Sequence, residues 1–274
     1  MARWSLSASD RGLAYGDGVF ETIAVIDHQP VLLEPHLLRL FRGLVQLRFE
    51  VVPERNRLQQ DIETLAQTIT RGVIKVIVTR GEGGRGYTPP AHGEPTVVLS
   101  QHDWPVYPTE YWQQGIDVLV CETRLAQQPA LAGSKHLNRL EQVLASQECA
   151  QAQCPEGLML DMQEQLVCAT KSNIFLVKGK SLLTPKLDQC GVHGVMRDTV
   201  MDLAKQFGFA VSEQRLTMVQ LQQADEVFLT NSIMGIWPVA SVHRGSGDAL
   251  IIPVGSHTRA LQYALQQRFA LMPL

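Results

Sequence analysis

The 274-residue chain reads as an α+β protein of two domains, and three observations carry that reading. Strand-like segments outnumber helices in the second half and arrive in clusters, which argues against the one-for-one alternation of a doubly wound sheet. The first half places two amphipathic helices among strands. Gln101 to Gly115 holds Pro105, Pro108 and a mixture of polar and aromatic residues, and reads as a connection. Domains are therefore expected at 1–105 and 116–274, with 106–115 joining them.

The elements follow in order. Gly18 to Ile26 is a strand, and Asp27-His28-Gln29 turns into a second, short one. A helix opens near Glu34 with Pro35 in its first turn, where a missing N–H is tolerated. Leu37, Leu40, Leu44 and Leu47 give it an apolar stripe, and Arg39 lies on the same helix. A second helix is expected from about Glu54 to Arg71, with Leu58, Ile62, Leu65 and Ile69 on one face. The β-branched run Val73 to Thr79 is a strand. A glycine-rich loop, Arg80 to Pro90, leads to a strand over Pro95 to Ser100. The second half opens with a strand near Ile116 to Cys121. A loop with Pro129 and Gly133 reaches Lys135, and a helix is expected from Leu137 to Gln151. Short strands fill Gly157 to Thr184, with Glu164 in a hairpin turn. A helix over Gly194 to Phe207, strands near Val211, Val227 and Val239, and a helix over Ser256 to Phe269 complete the chain.

Composition narrows the function classes. Hydrophobic residues at 45% and charged residues at 19% describe an ordinary globular protein with a core to bury. A net charge of −3 gives no reason to expect a nucleic-acid or membrane partner. No apolar run approaches the roughly 18 residues of a spanning helix. Met1 to Ser7 soon meets Asp10 and Arg11, unlike a signal peptide, so a cytoplasmic address is expected. Five cysteines, scattered and without a CxxC pair, point to reduced, buried thiols and no metal site.

Four segments invite chemistry. Gly81 to Gly86 matches GxGxxG after a strand, but a dinucleotide fingerprint must open a helix, and Pro89-Pro90 forbids one. A mobile substrate-binding loop is the better reading, with Arg85 offering a planar fork to a carboxylate; the plainer alternative is a solvated arginine. Lys135 follows the small, apolar Leu131-Ala132-Gly133. Such neighbours would desolvate the amine and lower its pKa, as a carbonyl-capturing lysine requires, although a lysine before a helix is ordinarily a surface residue. Gly191 to Arg197 enters a helix whose free N–H groups suit a phosphate, or is simply a tight turn. Thr230-Asn231-Ser232 ends a strand and would complete such a site or cap the turn.

Taken together, Tyr15 to Thr22, His36 to Leu40, Thr79 to Tyr87, Lys135 to Gln142, Ser172 to Phe175, Gly191 to Arg197 and Thr230 to Ser232 resemble, in order and spacing, the class IV family of pyridoxal-phosphate-dependent aminotransferase-like enzymes. Within that family, the lysine segment and the Arg80–Tyr87 loop look like those of the 4-amino-4-deoxychorismate lyases. The resemblance implies a small N-terminal α/β domain, a larger C-terminal barrel-like domain and a homodimer. It implies pyridoxal 5'-phosphate as cofactor and conversion of 4-amino-4-deoxychorismate to 4-aminobenzoate and pyruvate, for folate synthesis. By motif match, Lys135 carries the cofactor and acts as general base. Arg39, the backbone N–H groups of Val195 and Met196, and Ser232 hold the phosphate, with Asn173 also among the cofactor-binding residues. Arg85 and Tyr87 face the substrate carboxylate, and Thr22 is a candidate proton-transfer hydroxyl. One position departs: Cys168 stands where the family carries a glutamate against the pyridine nitrogen. That departure keeps open a degenerate homologue without catalysis, and tilts the reading away from the other alternative on the same fold, a D-amino-acid or branched-chain aminotransferase.

Overall fold

The computed structural model describes residues 6–90, 93–245 and 247–273; most of the N-terminal stretch read above for a signal peptide lies outside them. The chain divides into two compact units, one of residues 1–105 with 134–139, the other of 106–133 with 140–274.

The first unit begins with α1 (Arg11–Tyr15), β1 (Gly18–Ile26), β2 (Gln29–Pro30) and α2 (Leu33–Gln46), and continues with α3 (Arg55–Ala66), β3 (Arg71–Thr79) and β4 (Thr96–Asp103). Its sheet has the order β2-β1-β3-β4 and is antiparallel throughout. Alternation along β1 buries Val19, Glu21, Ile23 and Val25, because successive strand residues face opposite sides. The apolar members of that set pack against Leu37, Leu40 and Leu44 of α2 and Leu58 and Ile62 of α3. The apolar stripe expected on α2 is thus its core face.

Two boundaries differ from the sequence reading. α3 stops at Ala66 instead of reaching Arg71: Thr68 folds its hydroxyl back onto the Leu65 carbonyl at 2.8 Å, and β3 already begins at Arg71. α1 is an addition to that reading: Asp10 accepts hydrogen bonds from the Gly12 and Leu13 N–H groups, and Gly16 ends the helix at φ 65°. Five residues are too few to show apolar periodicity.

The second unit contains α4 (Glu110–Gln113), β5 (Ile116–Val120), α5 (Leu140–Gln151), β6 (Glu156–Leu160), β7 (Leu166–Ala169), β8 (Asn173–Lys178) and β9 (Ser181–Pro185). It ends with α6 (Val195–Gln206), β10 (Ala210–Gln214), α7 (Met218–Gln222), β11 (Glu226–Asn231), β12 (Gly235–His243), β13 (Leu250–Ile251) and α8 (Ser256–Phe269). The strands form one mixed sheet in the order β10-β9-β8-β11-β12-β5-β6-β7, with β13 added to β12. Its two ends meet: the Leu166 N–H on β7 donates to the carbonyl of Leu216, just past β10, at 2.8 Å. The sheet therefore curls on itself, as the barrel-like expectation requires. The α+β class holds in both units. All five cysteines are free thiols, four of them buried. Among the described residues no helix is long and apolar enough to cross a membrane.

Candidate active site

Lys135 does not sit at the start of a helix. α5 begins at Leu140, not Leu137, because the preceding residues run as an extended strip along β1. The Phe20 N–H donates to the Lys135 carbonyl and the Leu137 N–H to the Gly18 carbonyl, each at 3.0 Å, with a bridge between Val19 and His136. Asn138 Nδ2 donates to the Gly16 carbonyl at 3.0 Å. Space for the strip comes from Gly43 on α2, where a Cβ would stand 2.9 Å from Val19 Cγ1 and 3.2 Å from Ser134 Oγ. This is why the strip belongs to the first unit although it lies far along the chain.

The half-buried Lys135 amine lies 4.2 Å from the centre of the Phe20 ring. Burial, joined by the Arg39 charge, lowers its pKa from 10.5 to about 7, while Glu21 pulls the other way. The amine is thus available as a base near neutrality. The small residues Leu131 to Gly133 belong to the other unit; within its own unit the aromatic neighbour is Phe20.

Arg39 is not a solvated helix residue. Glu21 of β1 accepts from its Nε at 2.8 Å and from its Nη2, and also from His36 Nδ1 at 2.7 Å. Burial opposes the Glu21 charge, but Arg39 and then His36 outweigh it and hold the carboxyl at about 2. His36 is pushed down chiefly by its own burial, while Glu21 pulls it the other way. The Arg39 guanidinium is therefore fixed at the same carboxylate that biases Lys135. Sequence reading assigns Glu21 and His36 no role. The His36–Arg39 spacing places both on one helix face, and an acidic residue in the adjoining apolar strand is the signal that could have found them. Thr22 shares the face of Phe20 and pairs with Lys75 of β3.

Arg85 and Tyr87 lie on the loop between β3 and β4, both with exposed side chains. Nothing among the described residues bonds the Arg85 guanidinium. The Tyr87 ring packs on Tyr15 with centroids 5.4 Å apart.

The second unit gathers another set. α6 starts at Gly194 without a side-chain cap, whereas the start of α8 is capped by buried Glu226, which accepts from the His257 and Thr258 N–H groups. Among the described residues, no side chain caps the first-turn N–H groups of Val195 and Met196 in the way Glu226 caps α8. Asn173 positions this start: its Nδ2 donates to the Val192 carbonyl at 3.0 Å, and its Oδ1 lies where a Cβ on Gly194 would stand, 2.0 Å away. Arg197 anchors the helix from below through Pro185 and Glu213. Asn173 pairs with Thr230 across β8 and β11, so Ser232 follows the neighbouring strand end. There the Asn231 side chain accepts from the N–H groups of Ile233 and Met234 and shapes the turn. Cys168 is buried on β7 in a sulfur-rich apolar cluster with Cys121, Cys149, Met159, Leu187 and Cys190. The Thr170–Ser172 turn after it is tied to buried Glu156 by the Thr170 and Ser172 hydroxyls.

A family model for amino-transferase class IV matches residues 18–242. The chain belongs to the amino-transferase class IV family. It is 35% identical over 253 residues to aminodeoxychorismate lyase of Vibrio harveyi, covering 92% of this chain and 93% of that protein. Among solved structures, 4-amino-4-deoxychorismate lyase from Pseudomonas aeruginosa superposes with a TM-score of 0.92 at 46% identity, covering 98% of this chain and 97% of that one. The Escherichia coli branched-chain amino acid aminotransferase superposes with a TM-score of 0.85 at 29% identity, over 99% and 92%. The class IV fold expected from the sequence is the fold found.

Proposed function

We propose that the protein is a pyridoxal-phosphate-dependent lyase that releases pyruvate and 4-aminobenzoate from 4-amino-4-deoxychorismate. The observation that carries this reading is Lys135, an amine brought to a pKa of about 7 above Phe20, beside an arginine locked by Glu21. Similarity favours the lyase over amino transfer, with 46% identity to the solved lyase against 29% to the solved aminotransferase.

Pyridoxal phosphate fits the donor set. Its aldehyde needs a neutral amine, which Lys135 supplies near pH 7. Its phosphate suits a guanidinium, a helix start without a side-chain cap and a hydroxyl, the roles assigned to Arg39, to Val195 and Met196, and to Ser232. Asn173 holds that helix start in place. When bound, the cofactor supplies an electron-accepting ring. Once the substrate amine has taken its place at the aldehyde, Lys135 would be free to take the proton from the aminated ring carbon, and could return it to the enolpyruvate that leaves, giving pyruvate and an aromatic product. Cys168, a weak hydrogen-bond partner, takes the position assigned to a glutamate in relatives. Aromatisation gives this reaction a second source of driving force that amino transfer lacks. Arg85 and Tyr87 read a substrate carboxylate, and Thr22 offers a hydroxyl on the Phe20 face. A cytoplasmic homodimer completes the proposal; Leu140, Val143 and Leu144 leave apolar surface on α5.

The test is incubation of the purified protein with aminodeoxychorismate, and separately with amino donors and 2-oxoglutarate. Equimolar pyruvate and 4-aminobenzoate from a yellow protein are expected. Glutamate without pyruvate makes it an aminotransferase, and a colourless protein yielding neither is a non-catalytic homologue.

A further inference from the structure

Arg11 is a charged residue that is only 4% exposed, and nothing in the proposed chemistry uses it. Its backbone N–H donates to the Gly81 carbonyl at 2.8 Å, and the Gly83 N–H donates to the Ser9 carbonyl at 3.1 Å. Its side chain then crosses the glycine-rich loop. Nε donates to Asp17 at 2.8 Å, Nη1 to the Gly86 carbonyl at 3.2 Å, and Nη2 to the Tyr87 carbonyl at 2.6 Å. The guanidinium lies 5.0 Å from the centre of the Tyr15 ring, on which Tyr87 packs.

The glycines divide accordingly. A Cβ on Gly83 would meet Arg11 Cδ at 2.6 Å and Cγ at 2.7 Å, so the stem of Arg11 passes where a side chain would be. Gly84 and Gly86 face open space, and of these two only Gly86, at φ +85°, needs glycine for its backbone. Asp17, which orients Arg11, is itself fixed by Arg80 Nε at 2.8 Å. Arg80 in turn donates to the Leu47 and Arg48 carbonyls and stacks on Phe49. Burial works against the Asp17 charge, but the hydrogen bonds from Arg80 and Arg11 prevail and keep its carboxyl below the usual range.

We infer that Arg11 is a positioning residue for substrate recognition: it straps the carbonyls of Gly86 and Tyr87, directly after Arg85, so that the Arg85 guanidinium is presented on a restrained loop. This rests on the reading that Arg85 meets a substrate carboxylate, and it replaces the expected mobile loop with a preorganised one. A recognition group held in its bound geometry loses less freedom on binding.

Arg11→Lys keeps the charge and can keep Asp17, but it cannot span Asp17 and two carbonyls at once. With the cofactor-loaded protein, KM for aminodeoxychorismate should rise about tenfold to thirtyfold, as loss of one charge-assisted hydrogen bond at the lower end of its usual strength would give. The cofactor absorbance and kcat should stay close to wild type. Hydrogen exchange at the amides of residues 83–88 should accelerate, with β1 and β3 unchanged. Gly83→Ala, which pushes on Arg11 from the loop side, should give the same signature and serves if Arg11→Lys fails to fold. Unchanged or uniformly faster exchange overturns the inference. So does a loosened loop with unchanged KM while Arg85→Lys, assayed in parallel, raises KM. If Arg85→Lys leaves KM unchanged, the substrate-reading role of the loop fails instead, and the exchange data still decide whether Arg11 restrains it.

Discussion

Lys135 should cost the cofactor-free protein stability, in a way pH reveals. Burial and Arg39 set its folded pKa at about 7, against 10.5 for an ordinary lysine. Between those values the unfolded chain retains a proton that the folded chain gives up. Stability therefore rises with pH across that interval, by about 1.36 kcal/mol per pH step. Over the whole interval this amounts to roughly 5 kcal/mol at most; a half-buried amine keeps part of its hydration, so about 2–3 kcal/mol is expected. Below pH 7 both states carry the proton and the full penalty stands. Lys135→Met preserves much of the apolar stem and removes the charge. Urea unfolding of both cofactor-free proteins from about pH 6 to about pH 10 measures the difference. The methionine variant should be the more stable one at the acid end, with the gap closing toward pH 10. A gap that is absent, or that does not change with pH, refutes the account of Lys135 as a lysine held unwillingly in place.

Two further expectations concern Arg39 and Cys168. Arg39→Ala should weaken pyridoxal phosphate binding by about one to two orders of magnitude, and should also lower stability, by at most about 3–5 kcal/mol, because buried Glu21 loses its guanidinium and keeps His36 as partner; titration of the cofactor-free variant and urea unfolding measure the two separately, and unchanged affinity would remove Arg39 from the phosphate site. Cys168→Glu places a carboxylate in the sulfur-rich cluster, so its urea midpoint should fall below wild type and recover as pH is lowered toward protonation of the new group; an unchanged midpoint would mean that the position is open to water or to a counter-charge.

Much of this architecture is legible in the sequence because apolar spacing is a local signal. The leucine stripe of α2 and the β-branched run of β3 need only neighbouring residues to be read. What stays hidden depends on partners distant along the chain. Lys135 to Leu137 reads as the approach to a helix but is extended, since its hydrogen bonds go to Gly18 and Phe20. Glu21 is an anomaly in an apolar strand until His36 and Arg39 close on it from α2. The candidate site is legible as segments, through resemblance, and not as geometry. The loop of Arg85 shows the difference best: glycine content suggests mobility, whereas one of those glycines is required by a strap from Arg11.

The strip from Ser134 to Arg139 also sets a timetable for synthesis. When Pro105 has left the ribosome, both long helices and all four strands of the first unit have been made, but the edge of β1 at Gly18 and Phe20 has nothing to pair with until Lys135 and Leu137 arrive. For that interval the nascent chain carries an open strand edge beside apolar residues, the feature that seeds association between chains. A fragment ending near residue 105 keeps that edge permanently and lacks Lys135. The two halves of this protein are therefore not separable products, and a chain cut between them should fail in solubility before it fails in chemistry.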